Sequence, residues 1–147
     1  MGEPKPVNFR HELKYLISSA EVTMLRTRLS GLISLDAHAK NGHYTIRSLY
    51  FDNLSDRALR EKLDGVDRRE KFRLRYYGER PDFLKLEKKW KVNGLCGKRS
   101  ARLTLEEAER LLSGEDAFLL ERGEPLLSEL YHKLRGTLLR PCLLCTS

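Results

Sequence analysis

Four cations stand at alternate positions in REKFRLRYYG: Arg69, Lys71, Arg73 and Arg75, with Phe72, Leu74 and Tyr76 between them. The segment DFLKLEKKWKV repeats the spacing with Lys85, Glu87, Lys89 and Lys91, and NFRHELKYLIS does so with Arg10, Glu12 and Lys14. Successive side chains of a strand point to opposite sides of its sheet, so each spacing gathers charge on one face and apolar residues on the other. The plainest account of one such strand is a solvated face over a core face. Three strands whose wet side is almost wholly Arg, Lys and Glu suggest more, because like charges side by side repel unless an anion compensates them. Arginine matches phosphate oxygens with a planar fork and lysine adds a compact charge. Arg73 and Arg75 beside Lys14, Lys85 and Lys89 would therefore cradle a chain of phosphates. Glu12 and Glu87 have two readings, as carboxylate ligands of a divalent cation or as salt-bridge partners of the lysines.

The elements that must position these residues follow from pattern. Residues 8–18 read as a strand, and Ser18 with Glu21 forms a capping box opening a helix with Val22, Leu25 and Leu29 on one side, up to Gly31. The polar stretch 36–43 reads as a loop, 43–53 as an aromatic-rich strand, and 55–63 as a short helix ended by Asp64-Gly65. The strands holding Arg73 and Glu87 are joined by a turn at 78–81, which predicts an antiparallel hairpin, and Asn93-Gly94 ends the second. Thr104 with Glu107 opens one helix and Pro125 another. Four one-sidedly charged strands alternating with small helices predict an α+β fold with an antiparallel sheet.

Bulk properties agree. The 147 residues suit one domain, 1–147, and 28 Lys plus Arg against 21 Asp plus Glu give a net charge of +7 that favours anionic partners. Apolar runs stay far below the ~20 residues of a membrane span, and the N-terminus has no signal-peptide core, which predicts a cytoplasmic chain. Cys96, Cys142 and Cys145 are an odd number and read as reduced thiols; the single CxxC is a weak metal or redox signal.

In combination, RHELKY, SLYFDN, REKFRLRYYG and LEKKWKVNG resemble the catalytic domain of the vacuolar transporter chaperone (VTC) family, the polyphosphate polymerase branch of the CYTH-like triphosphate tunnel metalloenzymes, from about Phe9 to about Pro141. The resemblance implies a tunnel of antiparallel strands with flanking helices, whose inward cations grip triphosphate or polyphosphate. It implies ATP as phosphate donor and Mn2+ or Mg2+ as assisting metal. Lys14 matches the lysine ending the first-strand motif, Arg73 and Arg75 the paired arginines, Glu87 and Lys89 the acid and lysine of the next strand, and Lys98 a further basic residue. Arg73, Arg75 and Lys89 are thus the expected catalytic cations, Lys14, Lys85 and Lys98 join them in binding substrate, and Glu12 and Glu87 are the candidate metal ligands. Hydrolytic relatives open with ExExK, and Arg10 replaces the first acid here, which favours a polymerase-like grip.

The resemblance also implies a second set of strands, with the main metal ligand, that CLLCTS does not resemble, so it predicts a C-terminally truncated chain and exposed edges open to self-association. Two rival functions stay open: a non-catalytic binder of polyphosphate, nucleotide or RNA, with Tyr44, Tyr50, Tyr76, Tyr77 and Trp90 as stacking groups or as core, and a triphosphatase or cyclase of the same superfamily. The absence of RNP-type and GXXG motifs counts against RNA.

Overall fold

The computed structural model of the chain describes residues 9–36, 39, 43–79 and 81–147. Of the predicted loop, residues 37, 38 and 40–42 lie outside this set, as does residue 80 of the predicted turn. The described chain forms two compact units, one of Glu12–Tyr44 and one that joins the residues before Glu12 to Thr45–Ser147.

The larger unit contains a five-stranded antiparallel sheet: β1 Ile46–Asp52, β2 Arg69–Tyr77, β3 Leu84–Val92, β4 Leu95–Leu103 and β5 Arg140–Thr146. Their order is β4-β3-β2-β1-β5, with β4 and β5 at the two edges, so the sheet is open. Helices α2 Arg57–Leu63, α3 Leu105–Ser113, α4 Phe118–Glu121 and α5 Pro125–Gly136 complete the unit. The α+β expectation holds at this level.

The hairpin of β2 and β3 has the register that the alternation demands, with Arg73 opposite Glu87 and Leu74 opposite Leu86. β3 then turns into β4 through Asn93 and Gly94, both at positive φ (50° and 75°), the backbone of a two-residue hairpin turn matched to strand twist. The Asp67 carboxylate holds this turn by accepting the N–H groups of Asn93 and Gly94 at 2.6 and 3.0 Å. Pairing β4 with β3 places Gly97 opposite Trp90, where a Cβ would lie 2.4–2.7 Å from indole ring atoms. A glycine is needed there for the ring to lie against the strand.

Phe51, Phe72, Leu74, Leu84, Leu86, Ala101 and Leu103 from the sheet bury themselves against Leu111, Phe118, Leu119, Leu126, Leu127 and Leu130 of α3, α4 and α5. Both features expected to open these helices are present: Thr104 and Glu107 make the reciprocal capping box of α3, and Pro125 sits in the first turn of α5. At the end of β1, Asp52 is buried and accepts the N–H groups of Ala58 and Leu59 at 2.9 and 3.2 Å, fixing the entry to α2.

The smaller unit holds α1 Ser19–Leu29. Its capping box forms as expected, with Ser18 N–H donating to Glu21 at 2.7 Å. The expected apolar stripe has no core: Val22, Leu25 and Leu29 are exposed.

The structure corrects the strand expected over residues 8–18, of which residue 8 lies outside the described residues. Arg10 makes an isolated bridge to Cys96 of β4, and residues 11–18 lie outside any helix or strand. Alternation favours a strand only where a ladder and a buried face reward it, and Leu13, Tyr15 and Leu16 are exposed. β4 and β5 are strands the pattern reading did not identify.

Candidate anion-binding site

The register sorts one face of the sheet into rows. The central row runs Tyr50, Arg73, Glu87, Ser100 across β1 to β4. On one side of it stand Lys71, Lys89 and Lys98, on the other Ser48, Arg75, Lys85 and Arg102. A single carboxylate is therefore flanked by two rows of cations, which is the arrangement that repels itself unless negative charge is supplied.

Glu87 is the hub. It is only 1% exposed, yet its Oε2 accepts Arg73 Nε at 2.7 Å and meets Arg73 Nη2 at 2.6 Å. Lys98 Nζ lies 2.5 Å from Oε1, an ion pair outside hydrogen-bond angles, since Oε1 has no directional donor. Arg75 Nε stands further off, 4.0 Å from Oε2. Burial raises the Glu87 carboxyl's pKa, but the close Lys98 ammonium and the hydrogen bond and charge of Arg73 outweigh it and hold the group below the usual carboxylate value.

Arg73, itself 6% exposed, also donates from Nη1 to the Tyr50 hydroxyl at 3.1 Å. Burial disfavours its charge, and the bonds to Tyr50 and Glu87 more than restore it. Arg75 donates from Nε to Ser48 Oγ at 3.0 Å. Tyr50 carries Lys71 Nζ 5.1 Å and Arg73 5.8 Å from its ring centre. Burial raises its pKa, while the Arg73 hydrogen bond and the charges of Lys71, Arg73 and Arg75 bring it below the ordinary phenol value.

Of the residues expected from sequence, Arg73, Arg75 and Glu87 are thus in contact, and Lys98 joins them from β4. Lys85 and Lys89 share their face, and Lys85 Nζ lies over the Tyr77 ring at 5.5 Å. Glu12 and Lys14 belong to the smaller unit, both exposed and outside any helix or strand. Sequence reasoning passed over Ser48, and it left Tyr50 between core and stacking platform; Tyr50 instead braces an arginine. Its signal was the alternation in SLYFD, which puts Ser48 and Tyr50 on one side of β1. Of the other aromatic residues, Tyr76 packs against the core and Trp90 lies over Gly97.

The donor chemistry offers little to a metal as arranged. Both oxygens of Glu87 face cations, so an ion there would have to displace Arg73 or Lys98, and the described residues contain no group of three or more His, Cys, Asp or Glu placed to hold one. Cys96, Cys142 and Cys145 are free thiols. No helix among the described residues is long and apolar enough to cross a membrane.

Chemically, the face can bind an extended multivalent anion: its cations are pre-aligned by the sheet, and two are locked by a buried carboxylate. No curated protein matches the chain. The family model that does match is the VTC domain, over residues 9–146, which takes in the β5 segment that the motifs alone had not joined to the family. With nearly its whole length matched, the chain belongs to the VTC domain family and is thereby related to the polyphosphate polymerases.

Proposed function

We propose that the cation-lined face binds ATP and polyphosphate and transfers the terminal phosphate of ATP to the chain. A terminal phosphate oxygen of the polymer attacks the γ-phosphorus, a new P–O–P bond forms, and the bond from the γ-phosphorus to the β–γ bridging oxygen breaks, releasing ADP. The observation that carries this reading is the Glu87 hub, because it fixes Arg73 and Lys98 before any ligand arrives. Pre-aligned charge stabilises a transferring phosphoryl group without reorganisation at the moment of reaction.

In this reading Arg73, Arg75 and Lys89 carry the catalytic charge, and Lys85 and Lys98 extend the grip along the chain. The sheet is one wall of a triphosphate tunnel, and the reaction takes place in the cytoplasm. Manganese or magnesium would enter bound to the nucleotide's phosphates, and Glu87 is the residue that positions the cations.

The test is incubation of the chain with ATP and Mn2+ or Mg2+, with product resolved by gel. A ladder of long polyphosphate that disappears in Arg75→Ala supports the reading. Release of free phosphate without polymer would point to the triphosphatase instead, and neither product would remove catalysis from the account.

A further inference from the structure

β1 brings a phenol into the central row of the charged face. Alternation puts Ser48, Tyr50 and Asp52 on that side of the strand, and the register sets Tyr50 opposite Arg73 and Ser48 opposite Arg75. On the other flank, β5 opposes Tyr50 with Leu143, while its charged or titratable groups, Cys145 and Arg140, stand opposite Ser48 and Asp52. Asp52 is engaged with the first turn of α2. The charges that act on the phenol are those of Lys71, Arg73 and Arg75.

A phenol hydroxyl can both accept and donate a hydrogen bond. The accepting half is used: Arg73 Nη1 donates to the Tyr50 hydroxyl at 3.1 Å, away from the Nε and Nη2 edge that grips Glu87. The donating half is not. Among the described residues the hydroxyl makes this one hydrogen bond, the arginines and lysine around it have no acceptor to offer, and both Glu87 oxygens face other cations. Donation from Arg73 polarises the O–H bond and strengthens it as a donor. The phenol's acidity agrees: burial raises its pKa, but the Arg73 hydrogen bond and the three nearby charges bring it below the ordinary value.

We infer that Tyr50 is a ligand-contacting residue of this face, whose O–H donates to an oxygen of the bound anion while its own oxygen and ring hold Arg73 and Lys71 alongside. The inference rests on the reading of this face as a polyphosphate site and not on the transfer step. A cation attracts any anion, whereas an O–H held by its oxygen selects an acceptor placed at hydrogen-bond distance and angle. Tyr50 thus adds direction to a grip that the cations supply by charge.

Tyr50→Phe keeps the ring and removes the hydroxyl, and tripolyphosphate titrated by calorimetry at constant ionic strength reads the effect. At neutral pH the variant should bind about tenfold more weakly or worse, as loss of one hydrogen bond to a charged group requires. Loss of the brace on Arg73 alone would also weaken binding, and pH separates the two roles. Ionised, the phenol accepts from Arg73 more strongly but has no proton to donate and repels the anion. As pH rises from about 7 to about 9.5, approaching the ordinary tyrosine value of about 10, the parent should lose affinity faster than Tyr50→Phe and the gap between them should close. A gap that stays constant or widens would overturn the inference and leave Tyr50 as a brace. Equal affinity at neutral pH would overturn it while leaving the reading of the face intact, and no saturable binding in the parent would overturn both. The predicted pH dependence in a chain that makes no polymer would support the inference and remove only the transfer step. Circular dichroism shows whether Tyr50→Phe keeps the fold. If it does not, phenolate absorbance of the parent at alkaline pH decides: it should fall on adding tripolyphosphate, because the donor must be protonated to bind, and unchanged absorbance would overturn the inference.

Discussion

Replacing Glu87 by Gln tests the hub most sharply. The substitution keeps the volume and one carbonyl acceptor but removes the charge that compensates Arg73, whose side chain is 8% exposed against 1% for Glu87. Breaking a buried ion pair from one side typically costs about 3–5 kcal/mol, because the surviving charge stays buried without a partner. The retained amide oxygen puts Glu87→Gln near the lower end, about 3 kcal/mol, which at this chain length lowers Tm by roughly 6–12 °C. Thermal and urea unfolding followed by circular dichroism would read it. The exposed pair of Arg57 and Glu61 on α2, with Arg57 66% exposed, is the control: Arg57→Gln should change stability by less than about 0.5 kcal/mol. The same variant leaves Arg73, Arg75 and Lys98 without their carboxylate, so saturating tripolyphosphate should restore more stability to Glu87→Gln than it adds to the parent. A loss below about 0.5 kcal/mol for Glu87→Gln would refute the hub.

Other outcomes follow from the same geometry. Arg75→Ala should weaken tripolyphosphate binding by about 1.5–3 kcal/mol in calorimetry while sparing the fold, since Arg75 is the less buried of the two arginines and its close partner is Ser48. The carboxyls of Glu87 and Glu70 are both held below their unfolded values by cationic partners that outweigh burial. Their contribution to stability is therefore complete above the unfolded carboxylate pKa, about 4.3, and is lost as pH falls through the lower folded values; an acid-unfolding curve of Glu87→Gln should be flatter in that window. Gly97→Ala should destabilise by about 1–3 kcal/mol and alter Trp90 emission, because the new methyl enters the space of the indole ring.

The sequence made the middle of the sheet legible and its margins obscure. β2 and β3 alternate cleanly, and their register follows once Leu74 and Leu86 must face the same core. Both capping boxes were readable because each is closed within four residues. β4 was harder: its core side reads Leu95, Gly97, Arg99, Ala101, Leu103, where Gly97 is set by the Trp90 ring, a long-range contact. Asn93-Gly94 was the available signal, since such a pair joins two strands at least as often as it ends one. β5 has no alternation and carries Pro141 near its start, as an edge strand tolerates; its pairing with β1 is fixed by where α5 returns the chain.

The candidate site was legible in residue type more than in partnership. The alternating pattern placed Arg73, Arg75 and Glu87 on one face, and Lys98 approaches Glu87 diagonally, from the residue two before its register partner Ser100. That contact could be read only with β4 in place. The pattern over residues 8–18 was as regular as that of β2, yet Glu12 and Lys14 stand outside the sheet's strands, because period alone does not supply a partner strand.

The measurement closest to the central claim is calorimetric titration of tripolyphosphate into the parent chain, Arg75→Ala and Lys98→Gln, repeated at two salt concentrations. The account predicts saturable binding that weakens in both variants and falls with salt, as an anion held by several cations requires. Equal binding in all three proteins, or none at moderate salt, would contradict it and leave the cations of this face as a solvated surface around a structural ion pair.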